Sequence, residues 1–246
     1  MRSIAKIGFG IVALLSTAII QAKAMTVSPM QVEMTSTGNR ASARITVINN
    51  SAIPLPVEAV IERLVLDENG KQKTQTAGEE FLILPMQAMI PPGGTQNFRV
   101  QWLGEPLLAQ SQSYMLFINQ IPVKLPQGQN GVQVVTGMGV MVNVAPPQAA
   151  PALNVVSTSI TTDKQGRRYP SIVVENPTNA HALLPKSNVH LSSGNWSNSI
   201  TAAVLEERMG IGLVQPGRRR KFVLPVELPE GITHVNARVD YTQTRR

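Results

Sequence analysis

The chain has 246 residues, a formal net charge of +7, no cysteine and 4% aromatic residues. The lack of cysteine excludes a disulfide framework, thiol catalysis and Cys-based metal sites, so any core is held by packing alone. The positive balance is too small to argue for nucleic acid.

The first residues, MRSIAKIGFGIVALLSTAIIQAKA, combine a basic start at Arg2 and Lys6, an apolar run from Ile7 to Ile20, and the small-residue pattern Ala22-Lys23-Ala24. That order predicts a secretory signal over residues 1–24, cleaved after Ala24. Its apolar run falls short of the ~20 residues a spanning helix needs, so no integral membrane segment is expected after cleavage. The segment carries Arg2, Lys6 and Lys23 and no acid, so the rest of the chain is only mildly basic. What remains has room for two domains of about 100 residues each.

Beyond residue 24 no stretch sustains a helical period, and short β-rich runs recur between Gly, Pro, Asn and Asp turns. Strands are predicted at Ala41–Val47, Pro56–Leu66, Gln96–Trp102 and Tyr114–Ile121. Turns are predicted at Asp67-Glu68-Asn69-Gly70, Pro91-Pro92-Gly93-Gly94 and Gln127-Gly128-Gln129-Asn130-Gly131. Leu107–Gln110 reads as one helical turn in a connection. A long strand follows at Val132–Val144, whose even positions Val132, Val134, Thr136, Met138, Val140, Val142 and Val144 make a nearly continuous apolar row. The row exceeds the ordinary strand of about 5–6 residues. An apolar edge of this length is an aggregation hazard unless another protein receives it. The competing reading is a strand covered on both faces within its own domain.

Ala145–Pro151, APPQAAP, is a stiff small-residue linker. The strand texture then restarts at Ala152–Thr161, with a basic hairpin at Asp163–Arg168 and strands at Ser171–Glu175, Ser187–Ser192, Lys221–Val226 and His234–Tyr241. No sequence repeat links the halves. The expectation is an all-β chain of two β-sandwich domains, 25–146 and 147–246, joined by a Pro-rich hinge.

Catalytic, metal and cofactor sites are not expected. His181, His190 and His234 show no metal-ligand spacing and read as packed or solvated, the last two on strands. Glu79-Glu80 and Glu206-Glu207 are adjacent, so in a strand their side chains point to opposite faces. Gly137-Met138-Gly139 lies in a strand with no following helix, which rules out a phosphate-binding turn. Arg218–Lys221 follows the Pro216-Gly217 turn and reads as a solvated loop. Asn49-Asn50-Ser51 and Asn195-Trp196-Ser197 fit the glycosylation pattern weakly.

A family resemblance rests on motifs in a fixed order. Ser28–Met34 stands as a first strand, and Ile45-Thr46-Val47-Ile48-Asn49-Asn50 as a second strand ending in Asn-Asn. Phe81-Leu82-Ile83-Leu84-Pro85, then Gly93 or Gly94, then Phe98-Arg99-Val100 follow, and Ser113–Pro122 makes the next strand. After the hinge come Val174-Glu175-Asn176-Pro177-Thr178, with an N-P-T motif, and Val214-Gln215-Pro216-Gly217, with a P-x-G turn. In this order the chain resembles the periplasmic chaperones of chaperone–usher pilus assembly. It looks closer to the archaic branch associated with spore-coat-U-like subunits.

The resemblance implies two immunoglobulin-like domains and a non-enzymatic role in the periplasm. It implies donor-strand complementation, in which a secreted pilus subunit lacking its last strand receives an edge strand and is delivered to an outer-membrane usher. The lent strand maps onto Val132–Val140, with Val132, Val134, Thr136, Met138 and Val140 as subunit-binding residues. Family chaperones hold the subunit's terminal carboxylate with an Arg on the first strand and a Lys near the end of the lent strand. Those positions hold Gln31 and Met141 here, so the usual anchor is absent or has moved, with Arg99 and Lys124 as candidate carboxylate anchors. Self-association of the unbound chain is left open, and no cofactor is implied. The alternative is a secreted two-domain adhesion or carbohydrate-binding sandwich. That reading needs aromatic platforms, whereas Trp102 and Trp196 lie far apart in sequence.

Overall fold

The computed structural model describes residues 25–77, 79–122 and 135–241. The predicted signal and residues Lys124, Val132 and Val134 lie outside these. Extended runs, most of them alternating in burial, form ten strands in the first half. They are β1 (Met25–Ser28), β2 (Gln31–Thr35), β3 (Ser42–Asn49), β4 (Leu55–Leu66), β5 (Gln72–Thr76), β6 (Phe81–Leu84), β7 (Gln87–Ile90), β8 (Thr95–Trp102), β9 (Gln112–Gln120) and β10 (Gly137–Ala145). One sheet runs β1-β3-β8-β6; the other runs β2-β10-β9-β4-β5, with β7 also on β4. The inward row of β8, Phe98 and Val100, meets Ile45, Leu116 and Val142 in a core where all five are essentially solvent-free. Each such side chain contributes about 1.5–3 kcal/mol of burial. The chain changes sheet at Pro29 and at Pro85, where a residue without an N–H leaves no donor unpaired.

The second half forms β11 (Asn154–Thr162), β12 (Arg168–Glu175), β13 (Ala182–Leu183), β14 (Ser187–Ser193), β15 (Trp196–Ile200), β16 (Leu213–Val214), β17 (Arg219–Val223) and β18 (Asn236–Tyr241). Sheets β11-β12-β17 and β15-β14-β18 enclose a separate core around Ile172, Val174, Val189, Leu205 and Leu224, and β13 pairs with β16. The expected architecture of two sandwiches is present. One helix, α1 (Ala202–Met209), was not predicted; only Leu205 of it is buried, so no apolar stripe announces it. Glu206 and Glu207 therefore sit on a helix. Leu107–Gln110 is a bend, and His234 precedes β18 as an exposed loop residue.

One motif recurs in both domains. Asn49, fully buried, donates from Nδ2 to the carbonyls of Ile53, Ile90 and Pro91 at 2.8, 3.0 and 3.1 Å. Its Oδ1 accepts from the Ser51 N–H and hydroxyl. Asn176 does the same for Ala180, Val214 and Thr178. Each asparagine satisfies loop groups that burial would otherwise leave unpaired. Asn49 is thus a structural residue with no surface to modify.

The domains meet over Leu64, Leu66, Met115 and Met141 from the first and Leu183 and Leu213 from the second. The Gln215 side chain works as a piece of strand: Oε1 accepts from the Leu66 N–H at 2.9 Å and Nε2 donates to the Leu64 carbonyl at 2.8 Å. The β4–β5 turn, whose Gly70 takes a φ of 83°, reaches across so that the Lys221 N–H donates to the Glu68 carbonyl at 2.7 Å. Arg220 packs over Phe222, 5.0 Å from the ring centroid, and donates to the Leu213 carbonyl at 2.8 Å. The basic run read as a solvated loop is therefore partly an interdomain strut. Burial there outweighs the pull of the Asp67 charge and draws the guanidinium below its usual range.

Candidate functional site

β10 pairs with β9 along its whole length, from Gly137 opposite Asn119 to Val144 opposite Gln112. Its other edge is covered by β2 only from Met141 opposite Gln31 onward. The Met141 N–H donates to the Met30 carbonyl at 3.0 Å, so odd positions of β10 direct their backbone groups to that side. The Thr136 carbonyl accepts from the Gln120 N–H at 2.9 Å, which assigns even positions to β9. The N–H and C=O groups of Gly137 and Gly139 therefore face a side where no described strand lies. Their missing side chains leave the outer face to Asn119 and Met115, whose atoms would meet an added Cβ at 2.7 and 2.9 Å.

The apolar row splits along this strand. Val140, Val142 and Val144 have no exposed surface and belong to the domain's own core, and Met138 packs partly against it. Val140 is thus corrected from a lent residue to a core residue: on the inner face, opposite Leu116, it has nothing to lend. Thr136 is half-buried, and Val135, not singled out from the sequence, is 47% exposed.

Arg99 is corrected as well. It lies on β8, in the opposite sheet, with its exposed side chain on the outer face between Arg44 and Leu84, its cross-strand neighbours. It does not face the open edge of β10.

At the point where β2 takes over from the open edge, a polar cluster spans the two domains. Gln31 Nε2 donates to Glu33 Oε1 at 2.8 Å, and Asn143 Nδ2 donates to the same oxygen at 2.9 Å. His181 Nε2 lies 2.5 Å from Glu33 Oε2. Burial pushes the Glu33 carboxyl upward, but the hydrogen bonds from His181, Asn143 and Gln31 and the His181 charge prevail and hold it below the ordinary 4.5. Arg40 reaches the Glu33 carbonyl at 3.4 Å, from the side of β2 away from β10. His181 is accordingly a buried interdomain residue. Glu33 and His181 stand 148 positions apart and no motif links them. The other strand histidine, His190, is held between Ser199 Oγ at 2.8 Å and Asp240 Oδ2 at 3.1 Å on an exposed sheet face. Among the described residues, no three His, Asp or Glu side chains are grouped to hold a metal ion. None of the described helices is long and apolar enough to cross a membrane.

The model of the family described as pili and flagellar-assembly chaperone, PapD N-terminal domain, matches residues 24–150. No curated protein sequence matches the chain significantly. Solved structures of similar fold include the class 5 fimbriae chaperone CfaA, at 11% identity and a TM-score of 0.54, over 88% of this chain and 98% of that one. The CsuC–CsuE chaperone–tip adhesion subunit pre-assembly complex from archaic chaperone-usher Csu pili of Acinetobacter baumannii matches at 12% and 0.50, over 84% and 93%. The Salmonella enterica SafA pilin in complex with the SafB chaperone matches at 14% and 0.51, over 87% and 95%. At such identities these structures speak for the fold. With a family match over half its length and a half-open strand in the matched domain, the chain belongs to the pili and flagellar-assembly chaperone family.

Proposed function

We propose that this protein is a periplasmic chaperone that captures secreted pilus subunits by donor-strand complementation and hands them to an outer-membrane usher, in the manner of the archaic branch. In this reading the two domains span 25–146 and 147–246, and the lent edge belongs to the first. The observation that carries the reading is the edge at Gly137 and Gly139 that no described strand covers, beside the half-buried Met138. An extended segment added there gains main-chain hydrogen bonds, and neighbouring side chains give it specificity. The lent stretch is residues 132–138, so that Val132, Val134, Thr136 and Met138 remain its candidates and Val140 does not.

The test uses the geometry of the edge. Gly137→Pro removes an N–H that faces the open side and leaves the β9 ladder its donors, as proline is tolerated on strand edges. The wild-type chain is expected to recover small secreted subunits from periplasm at a 1:1 ratio. Gly137→Pro and Met138→Asp are expected to lose them while melting as cooperatively as the wild type. Subunit recovery by a folded variant of either kind counts against the reading.

A further inference from the structure

The two sheets of the first domain differ in width. One extends past β4 to β5, while the sheet facing it stops at β6. Every residue of β5 is exposed, on both of its faces, so the narrower sheet does not reach over it. Register puts Lys73 and Gln75 of β5 on the side shared with Arg63, the side toward β6, where the Arg63 guanidinium lies 6.0 Å from the Tyr114 ring. Phe81 of β6 is half-buried and packs edge-on against the Tyr114 and Trp102 rings.

The far side of β6 is open. The Leu103 N–H donates to the Glu80 carbonyl at 2.8 Å, one step before Phe81 meets Trp102 in register. Even positions therefore bond β8, and the N–H and C=O groups of Phe81 and Ile83 turn to a side where no described strand lies. On the outer face, Leu82 and Leu84 are 39% and 51% exposed. Beside Leu84 stand Arg99 and then Arg44, directly opposite each other. Like charges so placed repel. Among the described residues, no acid lies within ion-pair distance of Arg44, Arg99, Arg63 or Lys73. Glu79 and Glu80 precede the strand, at the end away from Leu84, and Glu80 accepts from the Tyr114 hydroxyl at 2.9 Å.

The geometry points to a second docking surface: the β6 edge receives an acidic, extended segment of another protein as the fifth strand of its sheet. Main-chain bonds to Phe81 and Ile83 hold the segment. Its apolar side chains turn inward and cover Phe81 and the aliphatic stems of Arg63 and Lys73. Its carboxylates turn outward. One beside Leu84 starts two strand spacings, about 10 Å, from the Arg99 backbone. An arginine and a glutamate side chain together span that gap and relieve the Arg44–Arg99 repulsion. The surface lies on the sheet that does not contain β10, and its occupancy does not depend on β10 being lent.

The probe is a fluorescein-labelled peptide of about six alternating valine and glutamate residues, blocked at both ends and titrated into the full chain by fluorescence anisotropy. It is expected to bind about tenfold or more tighter than its valine–lysine counterpart. Binding is expected to weaken as salt rises toward about 1 M, where the screening length is about 3 Å. N-methylation of every second residue is expected to abolish binding in one frame and spare it in the other, because only one set of N–H groups faces β6. Arg99→Glu, in a variant melting as the wild type, is expected to weaken the acidic peptide about tenfold, whereas Gly137→Pro, which blocks the edge of β10, is expected to leave it unchanged. No binding of the acidic peptide, equal binding of the lysine peptide, or the same result in both N-methylated frames overturns the proposal. So does an affinity that Gly137→Pro removes and Arg99→Glu spares.

Discussion

The edges of the two domains are built differently. In the second domain, β11 ends one sheet with Ser157, Thr158, Ser159, Thr161 and Thr162, and β17 ends it on the other side with Arg219, Arg220 and Lys221. The other sheet ends in β15, with Ser197, Asn198 and Ser199, and in β18, with Asn236, Arg238 and Asp240. Charged and hydroxyl side chains are the usual defence against pairing with a foreign strand. The start of β10 carries Gly137, Met138 and Gly139, with no charge at all. The start of β10 shares this with β6, Phe81–Leu84, which ends the first domain's other sheet without a charged or hydroxyl side chain, so the first domain is the less guarded of the two.

That contrast breaks most sharply at the boundary within β10. Val140→Asp puts a carboxylate into a position with no solvent contact and is expected to destabilise the first domain by roughly 3 kcal/mol or more. Thermal unfolding followed by fluorescence of the buried Trp102 reads it. Val135→Asp, at a side chain 47% exposed, is expected to stay within about 0.5 kcal/mol of the wild type. Equal effects would erase the distinction between core and open stretch.

A smaller effect concerns the clamp that closes the other half of β10's edge. The Glu33 carboxyl is held below 4.5 in the folded chain, so its stabilisation is complete above that value and disappears as pH falls through the lower folded one. With 35% of the side chain exposed, the amount is about 1 kcal/mol at most. Urea midpoints from neutral pH down through 4.5 are expected to fall further for the wild type than for Glu33→Gln. The smallest change is expected at Arg99→Glu. It converts the like-charged Arg44–Arg99 cross-strand pair to opposite charges and is expected to raise stability by a few tenths of a kcal/mol. Subunit recovery is expected to be unchanged, since Arg99 faces away from the edge.

Much of the fold was legible because alternation survives in the strands. Phe98 and Val100 flanking Arg99 already imply that Arg99 points outward, and the hinge prolines mark the change of domain. The row ending at Val144 was legible as one face but not as whose face. A period of two says that residues share a side, and the partner strand decides whether that side is core or edge. Helix α1 escaped notice because it is short and buries one residue. The Glu33–His181 contact escaped because pairing across two domains leaves no local pattern. In the sequence Asn49 and Asn176 belong to separate motifs, and only their like sets of loop carbonyls show them to be the same device used twice.

Gln215 has a consequence for how the two halves move. An apolar contact tolerates sliding, because its energy changes gradually with overlap. An amide that donates to Leu64 and accepts from Leu66 does not slide, because both bonds lose alignment together. At this elbow Gln215 therefore acts as a two-point registration pin: its two bonds hold or are lost together, and they set the angle at which the Leu64–Leu66 stretch meets the second domain.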